Sequence, residues 1–83
     1  MNADVQVSGP AARQAMLLAV IAEWSGEWTT VRVHRLYRAL GIAPKVGTAR
    51  GDLKALAGRG ALAVHDGSGR RFFTLPVGGG AGV

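Results

Sequence analysis

The stretch Thr48-Ala49-Arg50-Gly51-Asp52-Leu53-Lys54-Ala55-Leu56 holds the most specific chemistry in this chain. Ala49, Leu53 and Leu56 recur at i, i+4 and i+7, so a helix here turns one apolar stripe inward and leaves Thr48, Arg50, Gly51 and Lys54 on its other faces. At their i, i+4 spacing, Arg50 and Lys54 project together. A guanidinium fork beside an ammonium suits base edges and phosphate oxygens in a major groove. Thr48 has two readings, helix N-cap or phosphate and methyl contact, of which capping is preferred. The alternative for Arg50 and Lys54 is an ordinary solvated helix face with Asp52 as a local counter-charge. Gly51 costs a helix interior about 0.5–1 kcal/mol relative to alanine. It either permits close backbone approach to a partner or reflects the glycine-rich composition.

Further cations extend this set. Arg70 and Arg71 follow Asp66-Gly67-Ser68-Gly69, the tip of an expected hairpin in which Asp66 serves as a turn former. Arg70, nearer the tip, is placed to reach a minor groove, and Arg71 alternates with Phe72 along the strand. Arg32 and Arg35 sit early in an expected helix capped by Thr30, whose free N–H groups add an anion site. Lys45, at the start of the third helix, joins them, whereas Arg38 reads as merely solvated. His65 reads as a solvent-facing strand residue. It has no neighbouring nucleophile or paired carboxylate, so an enzyme is not expected. The absence of cysteine excludes disulfides and thiolate metal sites, and His34 and His65 are too far apart in sequence to suggest a ligand pair. No metal or other cofactor is expected.

The formal net charge is +5 and the isoelectric point about 11.2, a balance that favours polyanionic partners. Nine of the ten basic residues lie between Thr29 and Leu75 against two of the five acids, so this segment carries +7. Met16 to Ala22 is the one strongly apolar run and falls far short of the roughly 20 residues needed to cross a bilayer. A cytoplasmic chain is expected.

The elements that must position these residues follow from periodicity and punctuation. Residues 1–10 and the glycine-rich 76–83 read as flexible tails around one domain over 11–75. A first helix is expected from Ala11 to Trp24, with Met16, Leu17, Val20, Ile21 and Trp24 inward and Ser25-Gly26 as its stop. Ala15, Leu18, Ala19 and Ala22 lie off that stripe, where a solvated helix normally carries charge, and this makes them the candidate interface of a homodimer. Trp28-Thr29-Thr30 forms a short extended piece. A second helix runs from Val31 to Leu40, burying Val33, Leu36, Tyr37 and Leu40 and ending at Gly41; Pro44 separates it from the third. The third runs from Lys45 or Val46 to Ala57. Strands Ala61–His65 and Arg71–Leu75 then flank the polar tip. Trp24, Trp28, Tyr37, Phe72 and Phe73 read mostly as core.

This order of elements resembles the winged helix-turn-helix superfamily of bacterial DNA-binding proteins. The third helix is similar to that of DeoR-type repressors, whose pattern T-h-R-R-D-L-x-x-L followed by x-x-x-G-x-L matches Thr48 to Leu56 and then Ala57 to Leu62. Gly51 stands where the family has its second arginine, and the segment from Gly41 to Thr48 is longer than the family's tight turn. The resemblance implies an α+β fold of three helices with a C-terminal β-hairpin wing and a short strand between helices 1 and 2. It also implies double-stranded DNA as partner and a small transcriptional regulator as function. The alternatives are a protein-interaction or scaffolding module, and an architectural or plasmid-maintenance DNA binder.

Overall fold

A computed structural model describes residues 9–43 and 45–76. The expected tails lie outside the described residues apart from Gly9, Pro10 and Pro76, and so does Pro44. The architecture is α+β, with three helices followed by an antiparallel hairpin: α1 (Pro10–Glu23), α2 (Thr30–Leu40), α3 (Val46–Gly58), β1 (Ala63–Gly67) and β2 (Arg70–Thr74). The extended piece between α1 and α2 narrows to one residue, Trp28. Its N–H and C=O bond to the C=O and N–H of Phe73 at 3.0 and 2.8 Å, adding a third, one-residue rung beside β2. No described helix is long and apolar enough to cross a membrane.

The core forms where one stripe of each helix meets the base of the hairpin. Leu17 and Ile21 of α1, Val33 and Tyr37 of α2, Ala49, Leu53 and Leu56 of α3, and Trp28, Ala43, Leu62 and Phe73 make one buried cluster. The expected α3 stripe is fully buried. That of α1 is rotated, because Gln14, Leu17 and Ile21, spaced i, i+3 and i+7, point inward while Met16 and Val20 are half-buried flanks. Of the large side chains expected in the core, Trp24 and Leu40 are exposed. Trp24 is 58% exposed because it is the C-cap, where the backbone leaves the helix and carries the side chain off the stripe. Leu40 is 54% exposed, since Gly41 turns the chain at positive φ and Ile42 N–H bonds back to Tyr37 O, which takes the place a further helical turn would have filled. Leu18 packs against the core, whereas Ala15, Ala19 and Ala22 remain exposed.

Three local assignments move. Thr29, not Thr30, caps α2: its hydroxyl accepts from Arg32 N–H at 3.1 Å. The Trp28–Phe73 pairing holds the chain extended up to Thr29, so the helix opens one residue earlier than the residue types require. Thr48 is a half-buried residue inside the first turn of α3, and Lys45 occupies its N-cap position without a side-chain cap. The hairpin is shifted by two residues in β1. Ala61 and Leu62 N–H groups close the end of α3 by donating to Leu56 O, so they are withdrawn from the ladder. At the other end pairing continues through Asp66–Arg71 to Gly67–Arg70, so Asp66 is a strand residue and not a turn former. Ser68 and Gly69, both at positive φ, then form the whole tip, as a two-residue hairpin turn requires.

Candidate nucleic-acid interface

The exposed face of α3 is held in place from behind by a buried carboxylate. Asp52 is only 2% exposed and accepts hydrogen bonds from Arg13 Nη2 at 2.9 Å and Gln14 Nε2 at 3.0 Å, both on α1, and from Tyr37 Oη of α2 at 2.7 Å. Arg13 Nε donates to its second oxygen, and Arg59, just beyond α3, reaches Gln14 Oε1 at 3.3 Å. The carboxylate thus ties all three helices together. Burial pushes its pKa up, but the hydrogen bonds from Arg13, Tyr37 and Gln14 together outweigh burial and hold it below the usual carboxylate range. Burial and the bond to Asp52 push the Tyr37 phenol well up, and the same carboxylate raises Arg13. Asp52 is therefore a structural anchor and not a counter-charge on the exposed face. Its neighbours Ala49, Leu53 and Leu56 carried the inward stripe in the sequence, and only the arrival of Arg13 and Tyr37 from other elements makes an inward aspartate tolerable.

On the opposite side of α3, Arg50 and Lys54 face a cleft of about 440 Å³ whose other walls are Thr30 at the start of α2 and Asp66, Gly69, Arg70, Arg71 and Phe73 of the hairpin. Residues up to forty-three positions apart, Thr30 and Phe73, meet there. The cleft joins four cations with one acid. Arg50 and Lys54 form no ion pair among the described residues, whereas both hairpin arginines do. Arg71 donates from Nε and Nη2 to Asp66 Oδ2 at 3.1 and 2.8 Å, which raises its pKa further. Arg70 pairs with Glu27 through Nη2 and lies 5.4 Å from the centre of the Phe72 ring.

Arg32, Arg35, Lys45 and Gly51, also candidates from the sequence, do not line this cleft. Arg32 is half-buried; its guanidinium stacks 3.8 Å over Trp28 and donates to Glu27 O at 3.0 Å, so it fastens the start of α2. Arg35, Lys45 and Gly51 are exposed, on α2, at the N-cap of α3 and within α3 respectively. A Cβ at Gly51 would meet no atom within 4 Å. His65 is not a solvent-facing residue: it is half-buried, stacked on Phe72 at 4.8 Å with Nε2 at 2.9 Å from Thr74 Oγ1. This follows from register, since His65 pairs directly with Phe72 on the hairpin face away from Phe73. Among the described residues no group of three or more His, Asp or Glu could hold a metal ion. No family model, no curated protein and no solved structure matches this chain.

Proposed function

We propose that this chain is a winged helix-turn-helix domain that binds double-stranded DNA, with α3 in the major groove and the hairpin as a wing along the adjacent backbone or minor groove, and that it works as a small transcriptional regulator. The observation that carries the reading is the convergence of Arg50 and Lys54 with Arg70, Arg71 and Thr30 on one cleft, from three elements, in a chain with net charge +5. Helix and hairpin cations on a common front fit the polyanionic backbone, and the exposed Arg50 and Lys54 supply donors for base edges. One small domain offers few base contacts, so two copies on a symmetric site give useful specificity, with the exposed Ala15, Ala19 and Ala22 side of α1 as their interface.

Fluorescence anisotropy with a labelled duplex selected from a random library tests this. Arg50→Ala and Lys54→Ala should each lose about 1–3 kcal/mol of binding to the selected site. Their urea midpoints should stay at the wild-type value, because both side chains lie off the buried stripe. Wild-type affinity in both variants would remove α3 from the interface. The same α1 face favours a second reading, a protein-interaction or scaffolding module, which a chain without salt-dependent duplex binding would support.

A further inference from the structure

The two hairpin arginines meet acids where the two helix cations meet none among the described residues, and the difference is built into the register. Asp66 and Arg71 are directly opposed in the β1–β2 ladder, on the face shared with Phe73 that turns toward α3, so the carboxylate lines the cleft among the cations. Glu27, immediately before the Trp28–Phe73 pairing, is brought against Arg70 in the same way. All four side chains are about half exposed, between 51% and 59%, so these pairs are weak and exchangeable in water. A phosphate approaching either arginine must first displace the carboxylate that occupies its guanidinium.

We propose that Asp66 and Glu27 are built-in competitors for phosphate, which weaken backbone binding at the hairpin and leave discrimination between sequences to Arg50 and Lys54. This rests on the DNA-binding reading above. An arginine freed from its acid regains a cation–phosphate attraction that at about 4 Å in water corresponds to roughly a five-fold gain in affinity, an effect that salt reduces. A penalty common to all sequences lowers every affinity and leaves the ratio between sites unchanged, so discrimination rests on the helix contacts.

The test is a double-mutant cycle read by anisotropy on an unselected duplex at low salt. Asp66→Asn should tighten binding about five-fold and steepen the dependence of log affinity on log salt, by up to about 0.9 for one added phosphate contact. In an Arg71→Ala background the same change should gain nothing, because the acid acts through its arginine. Glu27→Gln with and without Arg70→Ala repeats the cycle at a second, independent pair. An equal gain in both backgrounds at both pairs would reduce the acids to bulk charge and overturn the proposal, as would no gain at either. A wild-type chain that binds no duplex even at low salt would overturn the DNA-binding reading and this one with it, whereas binding without the coupling overturns this one alone.

Discussion

Removing the buried carboxylate by Asp52→Ala should cost about 4 kcal/mol of folding stability, and the structure says where that cost falls. The Arg13 side chain is 20% exposed and recovers water, but Tyr37 Oη and Gln14 Nε2 lie in the buried part of the network and lose their acceptor. Two stranded donors at about 1–3 kcal/mol each, together with a broken buried ion pair, give a figure near the middle of the 3–5 kcal/mol range for such deletions. An 83-residue domain has only about 4–12 kcal/mol to lose. Tyr37→Phe removes a single bond to the carboxylate and should cost about 1.5 kcal/mol. The double variant should cost about 1 kcal/mol less than the sum, since the hydroxyl has no partner once the carboxylate is gone. Urea titration followed by the fluorescence of buried Trp28 measures all three. The pH dependence provides a separate check. Asp52 has its pKa lowered from 3.8 on folding, so its contribution is complete above 3.8 and is lost as pH falls through the lower folded value. The gap between wild type and Asp52→Ala should therefore be full at neutral pH and narrow below 3.8. A cost under about 1 kcal/mol, or strict additivity with Tyr37→Phe, would refute the reasoning that the network anchors α3.

Replacing both Arg70 and Arg71 with alanine should weaken binding to selected and unselected duplexes alike and lower the salt slope by about 1, short of two full phosphate contacts because both arginines are shared with acids, with base preference unchanged; an altered preference would mean that the hairpin reads sequence. Gly51→Ala should raise stability by about 0.5–1 kcal/mol, seen as a higher melting temperature, because the added methyl meets open space on a helix. A lower affinity in that more stable variant would assign Gly51 to close backbone approach. Ala19→Glu should be folded and monomeric by sedimentation at micromolar concentration if two copies meet on α1, whereas Leu18→Glu should unfold the domain because Leu18 packs against the core. A wild-type chain that is monomeric with and without DNA would rule out that interface.

By itself the sequence determined the three helices, the hairpin, the inward stripe of α3 and the outward placement of Arg50 and Lys54. Each is set by local periodicity, by glycine at a helix end or turn, and by side chains within one helical turn of each other. It did not determine which of two adjacent threonines caps α2, because both have the chemistry and the choice depends on Trp28 pairing with Phe73, forty-five residues away in sequence. Nor did it reveal that Asp52 faces inward. An aspartate beside Arg50 and Lys54 is locally indistinguishable from a solvated counter-charge, and only the packing of α1 and α2 on α3 brings Arg13, Gln14 and Tyr37 within hydrogen-bonding distance of it. The ion pairs of Arg70 and Arg71 likewise depend on ladder register and on where Glu27 lands. Register is a property of two strands paired in space, so the charge left free in the cleft was decided by tertiary structure alone.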